Sequence, residues 1–404
     1  MIGISKLYCS SVEPSDLLRY GRKAENLPSH LLQFSEDKKP VIAWNITRSC
    51  NLSCLHCYAS ATSDKAPDEL DHEEARDLVL SLTEYKVPVI LFSGGEPLLR
   101  PDLFELIELA VSRGTRAVLS TNGLLITKDI ATRLKGIGLS YVGISLDGLE
   151  HHHDRIRRNE GAFRQAVNAV TTSLSAGLKV GLRLTLTKGN QNDIDGLFDF
   201  MEELRIPRVC FYHLVDNGLN PGLDSERLTH EETRRALDLI AERTLGMFRK
   251  GLSPEVLTVD NQADGPYLYL KLLAEGRKAQ AENALKLLRL NGGSSSGHGI
   301  GCVSWNGDVH PDQFWRDVTL GNVRERPFPE IWNDPKNELL VALKDKKSHI
   351  RGRCRDCRFL EVCGGGLRAR AAHAKGGGIW EPDPACYLTC EEILQGDSPL
   401  ALGM

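Results

Sequence analysis

Eleven cysteines are the residues with the most chemistry to offer, and they are not scattered. Cys50, Cys54 and Cys57 form one group, Cys354, Cys357, Cys363, Cys386 and Cys390 form a second, and only Cys9, Cys210 and Cys302 stand apart. The first group lies in Thr47-Arg48-Ser49-Cys50-Asn51-Leu52-Ser53-Cys54-Leu55-His56-Cys57-Tyr58, a C-x3-C-x2-C spacing. Three thiolates hold three irons of a 4Fe–4S cube and leave the fourth open to an exogenous chelating group. The competing reading is a zinc knuckle, but a closed structural zinc site wants four ligands. In the second group, Cys354-x2-Cys357-x5-Cys363 and, after twenty-two residues, Cys386 supply four thiolates, which saturate a cube. Spacing alone leaves zinc open there, and Cys390 is an alternative to Cys386.

These side chains need a frame. Between residues 40 and 215, β-branched and apolar runs at 41–46, 88–92, 116–120, 140–145, 179–186 and 208–213 alternate with helical stretches near 71–85, 101–113, 127–136, 161–176 and 192–204. That alternation predicts βα units around a parallel sheet, and six of them make a partial (β/α)6 TIM-like barrel open on one side. Gly94-Gly95, Asn122-Gly123, Asp147-Gly148 and Gly189-Asn190 each follow a strand, at the end where such folds carry their ligand loops. The Cys50 loop follows the first strand and shares that rim.

Residues 1–39 read as an N-terminal leader segment, and residues 216–300 as a helical connector with helices near 230–250 and 264–290 and a Gly/Ser-rich turn at 292–299. Residues 301–404 read as a hairpin, a helix near 327–345 and a Cys-, Gly- and Arg-rich tail with too few apolar residues for its own core. A cluster held by the late cysteines would staple it.

Composition narrows the partners. The 404 residues carry a net charge of -4, which gives no electrostatic reason to expect nucleic acid or an anionic membrane. No apolar run approaches the ~20 residues of a membrane span, and the N-terminus lacks the pattern of a secretory signal. A cytoplasmic protein is expected, where thiols serve as ligands rather than as disulfides.

The Cys50 loop with His56 before its last cysteine, Ser93-Gly94-Gly95-Glu96-Pro97 after the second strand and Ser145-Leu146-Asp147-Gly148 after the fourth together resemble the radical S-adenosylmethionine enzymes over roughly residues 40–215. The resemblance implies that S-adenosylmethionine chelates the open iron and is cleaved to a 5'-deoxyadenosyl radical that abstracts hydrogen. It also implies roles around that cofactor. Gly94 and Gly95 would let backbone approach it, with Glu96 accepting from its ammonium; Ser145 and Asp147, and with them Thr121 and Asn122, are candidates for its ribose or carboxylate. Arg183 on the fifth strand would meet the carboxylate from the barrel interior. The tail resembles the SPASM-type extension of such enzymes, which implies an auxiliary 4Fe–4S cluster on Cys354, Cys357, Cys363 and Cys386 and leaves Cys302 as a buried thiol. Two 4Fe–4S clusters and a low-potential donor such as ferredoxin or flavodoxin follow from the resemblance.

Within that group the chain is similar to enzymes that trim side chains from siroheme-derived tetrapyrroles. The matching stretches are Val41 to Asn45, Phe92 to Asp102, Gly148 with His153 to Arg158, Gly321 to Phe328 and Asp383 to Tyr387. This implies loss of two acetate arms from 12,18-didecarboxysiroheme to give iron-coproporphyrin III. Loss of propionates on the way to the dioxo-isobacteriochlorin heme of nitrite reductase is the alternative. A peptide-modifying maturase and a pure electron-transfer protein are the rivals from other classes. A substrate rich in carboxylates calls for basic residues at the mouth, where Arg155, Arg157 and Arg158 fall, and His213 and His310 are candidates for iron ligands or proton donors.

Overall fold

A computed structural model describes residues 1–13, 16, 39–216 and 223–394. Its strands are β1 (Ile2–Gly3), β2 (Val41–Thr47), β3 (Val89–Gly94), β4 (Arg116–Thr121), β5 (Tyr141–Ser145), β6 (Val180–Leu186), β7 (Arg208–His213), β8 (Glu255–Val259), β9 (Ile300–Val303), β10 (Asp308–His310) and β11 (Gly321–Asn322). They form one sheet in the order β1-β8-β7-β6-β5-β4-β3-β2-β9-β10-β11. All pairs from β8 through β2 to β9 are parallel, β1 adds antiparallel to β8, and β9, β10 and β11 make an antiparallel meander at the other edge.

The helices are α1 (Ile4–Cys9), α2 (His72–Glu84), α3 (Leu103–Ser112), α4 (Lys128–Gly136), α5 (Glu150–Arg157), α6 (Ala162–Ser175), α7 (Ile194–Leu204), α8 (His230–Arg249), α9 (Asp264–Ala274), α10 (Lys278–Asn291), α11 (Phe328–Trp332) and α12 (Glu338–Lys344), with short turns at Leu360–Cys363, Arg368–His373 and Cys390–Leu394. Alternation along each strand sets the layers. On β2, Ile42, Trp44 and Ile46 join the main apolar core with the helices, while Asn45 and Thr47 face the other side. On α2, Ala75, Leu78, Val79 and Leu82 recur at helical spacing and are buried. Asp71 and Glu74 close a capping box at its start, a feature worth about 1 kcal/mol.

The α/β partial barrel with a cysteine-rich extension is the architecture the sequence predicts, and the six expected strands appear within two residues of their places. Four departures matter. Residues 216–300 are not helical throughout: Glu255–Val259 form β8 and extend the parallel sheet beyond six strands. Residues 2–9 of the leader are built into the fold, with Ile2 paired to Thr258 and Ile4, Leu7 and Tyr8 buried in the core. The helix expected over 264–290 is two, broken after Ala274, and the one expected near 327–345 is likewise two short ones. Finally, α5 is a helix of its own, and it carries Arg157.

Candidate active site

The Cys50 loop leaves β2 and is pinned by backbone. Cys50 N–H donates to the Thr62 carbonyl at 2.7 Å, Leu55 N–H to Ile156 at 2.9 Å, and Thr62 N–H to Arg48 at 3.0 Å. Glu69 accepts from Thr47 Oγ1 at 2.8 Å and from Arg48 N–H at 2.9 Å. Farther along, Arg316 donates to the Ala59 carbonyl just past Cys57. The sulfurs are hydrogen-bonded as well: Ala61 N–H lies 3.4 Å from Cys57 Sγ, and Arg157 Nη1 lies 3.4 Å from Cys54 Sγ. Asn122 Nδ2 reaches Cys50 Sγ at 3.9 Å and Asn51 Oδ1 at 2.7 Å. Burial pushes the Cys50 thiol up to about 12, and the Cys54 thiol also rises through burial. These sulfurs would therefore ionise on binding metal and release protons as they do so.

The Gly94-Gly95-Glu96 turn packs directly on this loop. A Cβ on Gly95 would sit 2.6 Å from the Ser49 carbonyl carbon and 2.8 Å from the Arg48 oxygen, and one on Gly94 would sit 2.5 Å from the Thr47 oxygen. What the two glycines admit is thus the cluster loop itself, which Gly95 and Glu96 then bind through N–H bonds of 2.8 Å to Thr47 and Ser49. Glu96 is fully buried, and its carboxylate accepts from Thr121 Oγ1 at 2.9 and 3.0 Å, Asn122 N–H at 2.9 Å and Leu98 N–H at 3.1 Å. Its side chain ties the end of β3 to the end of β4.

Asp147 is also committed within the protein. Oδ2 accepts from Arg157 and lies 3.2 Å from His56 Nε2, while Oδ1 accepts from Thr185 N–H at 2.8 Å. Burial alone would raise this carboxyl, but the Arg157 guanidinium and then His56 outweigh it and hold it well below the usual carboxylate range. His153, one turn before Arg157 on α5, accepts from Asp147 N–H at 3.0 Å. Burial first, and Arg157 second, bring the His153 pKa down to about 4, so the ring is neutral and can accept. Arg155 instead pairs with Glu226 on an exposed edge, which leaves Arg157 as the member of the basic run that reaches the cysteines.

Two predicted residues remain uncommitted. Ser145 and Arg183 are register partners on β5 and β6. The Arg183 guanidinium stands over the Tyr212 ring at 4.7 Å, and among the described residues it has no carboxylate partner. Gly143 makes room for it, since a Cβ there would lie 2.7 Å from Arg183 Cδ.

In the extension, Cys354, Cys357, Cys363 and Cys386 together line one cavity. Cys390 lies outside it and is exposed. Asp383, which also lines the cavity, accepts from Arg370 Nε at 2.8 Å and from Leu367 N–H at 2.7 Å. Among the described residues no three acidic, His or Cys side chains converge on a single metal ion; a cube, gripped around its outside, asks for wider spacing. Cys302 is a buried thiol on β9, 3.6 Å from Asn45 Nδ2.

Comparison with known proteins decides the family. A model of the Radical SAM superfamily matches residues 44–201, and one of an iron-sulfur cluster-binding domain, SPASM, matches residues 298–358. The chain is 55% identical over 396 residues to the Fe-coproporphyrin III synthase of Methanosarcina barkeri, covering 97% of this chain and 99% of that protein. The chain belongs to the radical SAM superfamily. This radical SAM enzyme is also 39% identical to the pre-heme d1 synthase of Dinoroseobacter shibae over 88% of its own length and 87% of that protein's. In fold it is similar to native anSMEcpe with bound AdoMet, at a TM-score of 0.66 and 20% identity, covering 86% of this chain and 93% of that one. Its cofactors are S-adenosylmethionine and 4Fe–4S clusters, and the cysteines of the loop and of the cavity fit the clusters. None of its helices is long and apolar enough to cross a membrane among the described residues.

Sequence reasoning missed the part played by Arg157 and His153. Their i, i+4 spacing puts them on one face of a helix, and that was the available signal.

Proposed function

We propose that this radical SAM enzyme acts in heme biosynthesis and removes two acetate side chains from 12,18-didecarboxysiroheme to give iron-coproporphyrin III. The observation that carries the reading is the 55% identity to Fe-coproporphyrin III synthase across nearly the whole of both chains. Cys50, Cys54 and Cys57 hold the first cluster, and Cys354, Cys357, Cys363 and Cys386 hold an auxiliary one. Bound at the first cluster, S-adenosylmethionine supplies a hydrogen-abstracting radical, which acid–base side chains cannot replace for an unactivated carbon–carbon cleavage.

The chain's own residues do the positioning. Arg157 hydrogen-bonds Cys54 and is itself fixed by Asp147, while His56 leans on the same carboxylate. Glu96, Thr121 and Asn122 lock the rim of β3 and β4 against the Cys50 loop. Ser145 and Arg183 would meet the cofactor when it is bound, and the guanidinium, which has no carboxylate partner among the described residues, would offer its carboxylate a bidentate partner. Gly94 and Gly95 let the turn pack directly on the backbone of the Cys50 loop. A ferredoxin or flavodoxin supplies the low-potential electron.

The test is anaerobic turnover with the tetrapyrrole, followed by mass. Removal of propionates instead, as the 39% identity to pre-heme d1 synthase makes the natural competitor, would redirect the assignment.

A further inference from the structure

We infer that His213 is the protein ligand to the iron of the bound tetrapyrrole. The inference rests on the tetrapyrrole reading above and extends it to the metal the substrate carries. Of the two histidines named from the sequence, His310 is consumed: Nε2 lies 2.8 Å from Ser304 Oγ and Nδ1 lies 2.8 Å from the Val318 carbonyl. His213 is held by one nitrogen only. It ends β7 at the ligand-bearing rim, with Nε2 2.8 Å from Asp264 Oδ2, and Asp264 Oδ1 accepts from the Tyr387 hydroxyl at 2.7 Å.

Asp264 is wholly buried and its carboxylate accepts, so the neutral imidazole carries its proton on Nε2 and keeps the lone pair on Nδ1. No described residue bonds Nδ1, and His213 stays 8% exposed rather than sealed. A ring N–H donated to a carboxylate is how metal-ligating histidines are oriented and made more basic. Here the orienting carboxylate is itself fixed by a second hydrogen bond.

The surroundings suit a macrocycle carried between two cysteine sets. Tyr387 directly follows Cys386 of the auxiliary cavity. Two residues beyond His213, Val215 packs with Phe314, Trp315 and Leu367, and Tyr58, next to Cys57, packs against the same cluster. Ligation forms one dative bond from the Nδ1 lone pair to iron in place of a solvent ligand, and no electron changes hands.

The test is anaerobic binding to the full-length protein with both clusters, using 12,18-didecarboxysiroheme and its iron-free form and reading the Soret band. His213→Ala is expected to weaken the iron form on the order of tenfold or more and to shift its band. The iron-free form should bind the variant as it binds wild type, which shows that the site is still folded. Added imidazole should restore the wild-type band. An unchanged iron spectrum and affinity in His213→Ala overturns the ligation, and so does an equal loss for the iron-free form. If wild type binds neither form, the tetrapyrrole reading fails and takes the ligation with it.

Discussion

Arg157 Nη1 donates to Cys54 Sγ at 3.4 Å across 103 residues of chain, and the same guanidinium grips Asp147. A cation donating to a cluster sulfur favours the more negative, reduced cluster and so raises its potential. Arg157→Gln is therefore expected to lower the potential of the first cluster in an EPR-monitored redox titration, with a smaller drop for Arg157→Lys, which keeps the charge. Equal potentials in all three proteins would show that the contact is only mechanical.

Asp147 is the buried counter-charge of that arrangement, and removing it strands Arg157. Asp147→Asn should cost about 3–5 kcal/mol of unfolding free energy. The sign of the pH dependence follows from the lowered folded-state pKa. The carboxylate adds its stability above the ordinary value near ~4 and loses it only as pH falls toward the lower folded value. Anaerobic urea unfolding at pH 6 and pH 9 should then give the same gap between wild type and Asn; a gap that widens with pH contradicts the assignment.

Gly95 tests the contact between the turn and the cluster loop. A methyl group there would press on the Ser49 and Arg48 backbone, which cannot yield as a side-chain tip could. Gly95→Ala should lose about half of the bound iron, the share of one cube of two. Gly136, where a Cβ meets nothing within 4 Å, provides the control: Gly136→Ala should retain all of it. Full iron in Gly95→Ala would mean that the loop tolerates displacement.

The late cysteines give a sharper choice. Cys386→Ala should abolish the auxiliary cluster, because its sulfur lines the cavity with Cys354, Cys357 and Cys363. Cys390→Ala should leave iron and sulfide unchanged. Zinc in place of half the iron in wild type would mean that the cavity holds a different metal.

The barrel strands were legible because each couples a short β-branched run to an amphipathic helix, two periods a reader can separate. Glu255–Val259 escaped notice because five residues between long helices give little alternation, and what makes them a strand is the open edge of β7. The cysteine sets were legible from spacing. The duties of Glu96 and Asp147 were not: whether a carboxylate greets a ligand or braces a loop depends on burial and on donors such as Asn122 and Thr185, which no local pattern fixes. His213 shows the same limit, since Asp264 and Tyr387 join it from later elements of the chain.

The most direct measurement of the central claim is anaerobic incubation of the purified protein with 12,18-didecarboxysiroheme, S-adenosylmethionine and a strong reductant, followed by mass spectrometry of the tetrapyrrole and quantitation of 5'-deoxyadenosine. The account predicts iron-coproporphyrin III with two equivalents of 5'-deoxyadenosine for each product, because two arms leave, and no 5'-deoxyadenosine once Cys50, Cys54 or Cys57 is replaced by Ala. An intact substrate, or cofactor cleavage that persists without any one of those three cysteines, would contradict it.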